Sequence, residues 1–98
     1  ASGMTRNYEL TVVISPQLND KDLKAALVGV ETVVEQAKGK VVKKEEWGKK
    51  PLAYRIKKET EGVYWLFKLE LPTDKAAVVD KELRLREDIL GLLLVKLD

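Results

Sequence analysis

The composition of this 98-residue sequence limits the protein to a few classes. With 45% hydrophobic residues, the chain has enough apolar material for one core and one domain. It contains neither cysteine nor histidine, which excludes disulfides, thiolate catalysis and the metal sites that these residues build. Eighteen Lys and Arg against sixteen Asp and Glu leave a net charge of +2. Any nucleic-acid site therefore depends on local clusters of positive charge.

The start of the sequence and its hydropathy indicate where the domain begins and where in the cell the protein resides. Residues 1–3 precede Met4 and are typical of the remnant of a cleaved expression tag, so we expect a single domain over residues 4–98. No apolar run approaches the roughly 20 residues that span a bilayer, and the start lacks the pattern of a signal peptide. These features predict a soluble cytoplasmic protein with no membrane contact.

The first third of the sequence predicts a strand followed by a helix. Alternating apolar residues place the strand at residues 8–14. Asn19 is a suitable helix N-cap, and Asp20 and Asp22 in the first turn favour the positive end of the helix dipole. Apolar residues then recur every three or four positions as far as Ala37. We expect Gly39 to end this helix.

The middle of the sequence predicts two further strands. Residues 40–58 are rich in β-branched, aromatic and basic residues, with Gly48 and Pro51 marking a kink or bulge. Residues 59–62 are predicted to form a polar turn. Residues 63–71 then alternate clearly between apolar and polar side chains, which is typical of a strand.

The last third predicts a second helix and a final strand. Pro72 begins the helix, whose buried stripe contains Ala76, Val79 and Leu83. Residues 89–97 form an apolar strand. The order strand, helix, strand, strand, helix, strand is that of an α+β, ferredoxin-like βαββαβ fold, with two helices on one face of a four-stranded antiparallel sheet.

The face of the sheet away from the helices is predicted to be unusually apolar. Strand alternation places Tyr64 and Leu66 there from the third strand, and Leu93 and Val95 from the fourth. A contiguous apolar patch of this kind indicates contact with a protein or with bases. Alternatively, the faces are exchanged by a one-residue slip, or a loop covers them. Base stacking on Tyr64 has little support, because the first strand contributes no aromatic residue to this face.

Basic residues cluster along the second strand and at the end of the second helix. Together with neighbouring aromatic residues such as Trp47 and Tyr54, they are suited to contact with RNA phosphates and bases. Alternatively, each cluster is a solvated face, and Arg84 and Arg86 complement the negative end of a helix. Trp47 also suits a core position at a strand kink. The main clusters lie at residues 43–44, 49–50, 55–58 and 84–86.

The sequence does not predict an enzyme. Its close carboxylate pairs lie at element ends or in a charged strand, and a small two-layer domain offers little enclosed volume in which to shift a pKa. Its glycines are isolated and form no phosphate-binding loop. We therefore expect no catalytic residue, no metal and no cofactor.

Three segments resemble one known family. They are Arg6-Asn7-Tyr8-Glu9, the sequence EWGKKPLAYRI at residues 46–56, and Glu82-Leu83-Arg84-Leu85-Arg86 followed by an apolar strand. On these residues the chain resembles the sixth protein of the bacterial small ribosomal subunit, over residues 6–96. The resemblance implies a cytoplasmic, non-catalytic ribosomal protein that binds small-subunit ribosomal RNA as a heterodimer with the eighteenth protein of that subunit.

The resemblance, together with the predicted apolar face and the basic clusters, implies site residues. We expect protein-partner contacts at Trp47, Tyr64, Leu66, Leu93 and Val95. Arg55 stands where the family commonly has proline, and Leu90 and Gly91 replace basic residues early in the last strand. An alternative is therefore a self-associating structural domain of the same fold with a weakened RNA site, and weak self-association of the isolated chain is compatible with either. The expected RNA-binding residues are Arg6, Tyr8, Lys49, Lys50, Tyr54, Lys57, Lys58, Arg84 and Arg86.

Overall fold

The described part of the chain forms four strands and two helices. The computed structural model describes residues 5–56 and 58–97, so the predicted tag remnant at residues 1–3 and the predicted RNA-binding residue Lys57 lie outside the described residues. A single 3₁₀ turn, Thr73–Lys75, precedes the second helix. The elements are β1 Thr5–Ile14, α1 Asp20–Gln36, β2 Lys40–Ile56, β3 Glu59–Pro72, α2 Ala76–Arg84 and β4 Ile89–Lys96.

The four strands form one antiparallel sheet in the order β2-β3-β1-β4. The central strand β1 pairs with β3 on one side and β4 on the other, so that Leu10 lies opposite both Phe67 and Leu94. This arrangement confirms the predicted ferredoxin-like fold, in which sequentially distant strands become neighbours. Strands β2 and β4 are left as the two edges.

The hydrophobic core lies between one face of the sheet and the two helices. The predicted inward face of β1 is confirmed, since its alternate residues from Tyr8 to Ile14 are all buried. The predicted stripe of α2 is confirmed as well, because Val79 and Leu83 are fully buried and Ala76 packs against them. Alternation with a period of two therefore identified the strand face, and spacing near 3.6 identified the helix face.

Helix α1 begins where predicted and ends earlier. The Asn19 side chain accepts a hydrogen bond from the Asp22 backbone N–H at 2.8 Å, which satisfies one of the free donors of the first turn. The helix ends at Gln36, and Lys38 takes the left-handed conformation with φ 66°. The prediction that Gly39 ends the helix was therefore wrong. Gly39 is needed for close packing, since a Cβ there would lie 2.7 Å from the Glu70 carbonyl oxygen.

The connection between β2 and β3 is tighter than predicted. The prediction of a turn at residues 59–62 was wrong, because β3 already begins at Glu59, which lies opposite Ile56. Lys58 reverses the chain with a positive φ of 69°. Cross-strand pairing thus overrides the polar composition that favoured a turn at these residues.

Strands β2 and β3 continue beyond the end of β1. The last residue of β1, Ile14, lies opposite Val63, which pairs on its other side with Lys49. Past this point β2 and β3 form a two-stranded ribbon, residues 49–62, which we call the arm. The molecule is correspondingly elongated, at 43 × 26 × 22 Å. No helix among the described residues has the length and apolar character to cross a membrane.

Candidate nucleic-acid and protein interface

The face of the sheet opposite the helices carries the residues that alternation placed there. Residues directly opposite each other in antiparallel strands share a face, and the outward residues of β1 are Glu9, Thr11 and Val13. The alternative that the two faces are exchanged is therefore wrong. The rows across β3, β1 and β4 are Lys68-Glu9-Val95, Leu66-Thr11-Leu93 and Tyr64-Val13-Gly91.

Exposure on this open face is uneven. Leu93 and Val95 on β4 are 60% and 42% exposed, whereas Leu66 in the middle of the sheet is buried and Tyr64 is half-buried. The exposed apolar surface therefore lies mainly along β4, and Leu66 contributes little to it. The predicted patch is present on the predicted face, but its accessible part is narrower than the alternation suggested.

Trp47 lies at an irregularity of β2 and is 47% exposed. The register of β2 against β3 shifts between Glu46 and Gly48, so Trp47 is the extra residue of a bulge. Its indole N–H donates to Glu45 Oε2 at 3.4 Å, and the Lys50 ammonium lies 4.9 Å from its ring centroid. The alternative of a core position for Trp47 is therefore wrong. The bulge turns the indole outward among charged side chains.

The carboxylate of Glu45 contacts both Lys43 and Trp47 on β2. The Lys43 ammonium, 2.8 Å from Glu45 Oε1, and the indole N–H of Trp47 lower the pKa of Glu45 from its ordinary value of 4.5. Both donors favour the charged carboxylate over the neutral acid. The contacts of the ionised Glu45 carboxylate therefore stabilise the folded protein above pH 4.5. This stabilisation is lost as the pH falls through the lowered pKa.

This linkage predicts the acid titration of Trp47 fluorescence. In a Trp65→Phe variant, in which Trp47 is the only indole, we expect the emission to titrate with a midpoint below pH 4.5. Glu45→Gln in the same background removes the titrating group and is the control. A midpoint at or above pH 4.5, or an unchanged midpoint in the control, would contradict the linkage.

The arm carries most of the predicted RNA-binding residues. Lys49, Lys50 and Lys58 are exposed on it. Tyr54 is 73% exposed, in a segment where the register shifts between Pro51 and Ile56. Sequence reasoning placed Arg55 in a basic cluster and noted it as a departure from the family, but did not name it as a site residue; the structure places it, exposed, beside Tyr54. Its membership of the basic run at residues 55–58 was the available signal.

Positive charge is concentrated on the arm. The sequence of residues 49–62 contains five basic residues against two acidic ones, Glu59 and Glu61, whereas the rest of the chain has thirteen basic and fourteen acidic residues. The net positive charge of the protein therefore resides on this ribbon. A field of this kind attracts polyanions to one end of the molecule.

Two predicted RNA-binding residues lie at the other end of the sheet. Arg6 is opposite Leu71, eight residues along β3 from Val63, which places it about 27 Å from the base of the arm at 3.4 Å per residue. Tyr8 is only 6% exposed, because its ring belongs to the core on the helix side. The structure thus gives Tyr8 a packing role.

The two predicted arginines at the end of α2 and just after it contact other parts of the protein. Arg84 donates from Nε to both oxygens of Asp80 at 3.1 Å and from Nη2 to the Leu92 carbonyl oxygen at 3.4 Å. The Arg86 guanidinium lies against α1, where a Cβ at Gly29 would be 2.7 Å from its Nη1. Both cations are therefore placed by contacts within the protein, away from the arm.

A groove of about 500 Å³ lies between α1 and the β2 edge. Its surface is formed mainly by apolar side chains of α1 and by Trp65, with Lys44 and Glu31 forming a 3.6 Å ion pair at its rim. Within residues 5–56 and 58–97, no three acidic side chains are grouped so as to hold a metal ion. The groove therefore presents an apolar surface with an ion pair at its rim.

Comparison with known proteins agrees on one family. The family model described as ribosomal protein S6 matches residues 7–96. The small ribosomal subunit protein bS6 of Dictyoglomus turgidum is 33% identical over 93 residues, covering 95% of this chain and 96% of its own. That of Rhodococcus opacus is 36% identical over 85 residues, covering 87% and 90%.

A solved structure has the same fold. The 30S ribosomal protein S6 from Thermotoga maritima superimposes with a TM-score of 0.86, at 24% sequence identity, over 96% of this chain and 89% of its own. The likeness extends through all the elements described above.

Proposed function

Because the chain belongs to the ribosomal protein S6 family of the small ribosomal subunit, we propose that it binds small-subunit ribosomal RNA together with the eighteenth protein of that subunit. It acts as a non-catalytic constituent of the cytoplasmic ribosome, with residues 4–98 as its single domain. The observation that carries this proposal is the concentration of positive charge on the arm.

The arm supplies the RNA contacts. Lys49 and Lys50 lie at its base, and Lys58 lies at its turn, so cations are spread along the ribbon. Ammonium groups that neutralise phosphates release counterions, which gives most of the affinity of such contacts. The exposed ring of Tyr54 adds a surface for an unpaired base. Lys57 extends the same basic run in the sequence.

The open face supplies the protein contact. Leu93 and Val95 present apolar surface on β4, while Tyr64 and Trp47 lie toward the arm. Leu66 lies on the same face but is buried, so it adds little exposed surface. Because Trp47 lies beside Lys50, the partner and the RNA meet near the base of the arm, and each can stabilise the other's contacts.

The remaining predicted cations have a secondary part in this proposal. Arg6, Arg84 and Arg86 lie away from the arm, so they reach phosphate only where the RNA extends along the body of the protein. Tyr8 contributes through its packing in the core. We therefore expect substitution of these residues to affect RNA affinity less than substitution in the arm.

The test is binding of the chain to a small-subunit RNA fragment of the central domain, with and without the eighteenth protein, at two salt concentrations. We expect salt-sensitive binding that is markedly tighter when the partner is present, because charge drives one contact and apolar burial the other. Salt-insensitive binding would contradict the arm as RNA site. Equal affinity with and without the partner would contradict the joint interface.

A further inference from the structure

The outer strand β4 is an edge with little protection against pairing. Residues 89–95 carry no charge and consist of aliphatic residues and one glycine. Leu93, Val95 and Leu97 expose apolar side chains along this edge. Long, uncharged, apolar edge strands are templates on which a further strand adds.

The backbone groups of β4 that face outward can be identified. Leu97 N–H donates to the Asn7 carbonyl oxygen of the neighbouring strand segment, so odd-numbered residues of β4 point their backbone groups toward β1. Even-numbered residues therefore point theirs away from it. Consistent with this, the Leu92 carbonyl oxygen accepts its hydrogen bond from the Arg84 side chain. Arg84 thus occupies an acceptor in the middle of the free edge.

The opposite edge is protected in a different way. Strand β2 carries charged side chains over most of residues 43–50, contains Pro51 and is interrupted by bulges after Val41 and Glu46. Charges, proline and bulges each prevent edge-to-edge pairing. On β4 the described side-chain contact that blocks the edge is that of Arg84, which Asp80 holds in place at 3.1 Å.

We propose that β4 is a self-association edge for a second copy of this chain, and that Arg84 keeps it closed. Two β4 strands pair antiparallel about a two-fold axis at Leu92, whose outward N–H and C=O then bond to those of Leu92 in the second copy. This register brings Lys96 of each copy to the start of the other copy's β4, where Asp88 directly precedes Ile89 and the register against β1 shifts at Leu90. Opposite charges thus flank an apolar strand, which complements an antiparallel copy of itself.

The first experiment compares Arg84→Ala with the unaltered chain by sedimentation over a range of concentrations. We expect the unaltered chain to be monomeric, and Arg84→Ala to dimerise at least about tenfold more strongly, because a competing hydrogen bond is removed from each copy. Lys81→Ala removes one exposed cation from the same helix and is the matched control. Dimerisation of the unaltered chain, or a monomeric Arg84→Ala with native circular dichroism, would overturn the proposal.

The second experiment tests the register and separates it from loss of folding. In the Arg84→Ala background, Lys96→Glu places a new carboxylate beside Asp88 of the other copy. This repulsion occurs at both ends of the dimer, so we expect about tenfold weaker association. Adding Asp88→Lys exchanges the charges and is expected to restore it. A dimer that ignores both changes would overturn the antiparallel β4 pairing. This edge does not include the arm, so failure here leaves the proposed RNA contact unaffected.

Discussion

Reversing the charge of Lys49 and Lys50 to Glu is expected to weaken binding to small-subunit ribosomal RNA by about a hundredfold in the presence of the partner. Each lost phosphate contact lowers affinity and reduces the dependence of log K on log salt by about one. The double variant should therefore bind more weakly at low salt and also show a shallower salt slope. Titration by fluorescence anisotropy at several salt concentrations measures both quantities.

The matched control reverses two lysines that lie away from the arm. Lys21 on α1 and Lys81 on α2 are both exposed, so Lys21→Glu with Lys81→Glu changes the net charge by the same amount. If bulk charge alone determined affinity, the two double variants would be equally impaired. Equal impairment, or an unchanged salt slope in the arm variant, would place the RNA contact elsewhere.

The sequence predicted the element order and the buried faces because local patterns determine both. The alternation in β1 and the stripe of α2 follow from which side chains must leave water, and this requirement does not depend on the neighbouring elements. The Asn19 cap is similarly local, since donor and acceptor are three residues apart. Predicting these features therefore required no knowledge of how the strands pair, and the structure confirms them.

The shape of the arm could not be predicted, because it depends on pairing between two strands. The polar residues 59–62 favour a turn by composition, yet the pairing of Ile56 with Glu59 continues the ladder and moves the reversal to Lys58. The predicted bulge at Gly48 is confirmed, but the residue that it displaces, Trp47, is identified only by the register of β2 against β3. Neither register is encoded in one strand alone.

Tyr8 shows how a motif and a pattern can disagree. The resemblance assigned Tyr8 to RNA contact, whereas the alternation of its strand placed it on the same face as Leu10, toward the helices. The structure follows the alternation, with Tyr8 buried in the core. Arg84 differs, because no local pattern predicted that its side chain would reach the Leu92 carbonyl oxygen across the β4 edge.

A single strand connects the arm to the open face. Strand β3 runs through both, since Leu69 and Leu71 lie in the core while Glu61 lies in the arm. A change that loosens β3 therefore affects the arm and the open face at once. Residues on rigid elements hold binding geometry more accurately than residues on loops.

Phe67→Ala is expected to lower the free energy of unfolding by about 3–5 kcal/mol. Phe67 is fully buried on β3 opposite Leu10, and its ring lies 6.5 Å from that of Trp65. The substitution removes buried apolar surface and leaves a cavity that the sheet can fill only in part. Since a domain of this size has roughly 5–15 kcal/mol of stability, urea denaturation should show a large fall in the midpoint.

The matched control truncates an apolar residue on the exposed side of the sheet. Leu93→Ala on β4 removes a side chain that is already 60% exposed, so we expect a loss below about 1 kcal/mol. Comparable losses in the two variants would contradict the exposure of Leu93 in the monomer or, if they arose from association, the monomeric state expected of the unaltered chain. Measuring Leu93→Ala at two protein concentrations separates these cases, because only an associating chain unfolds at a midpoint that depends on concentration.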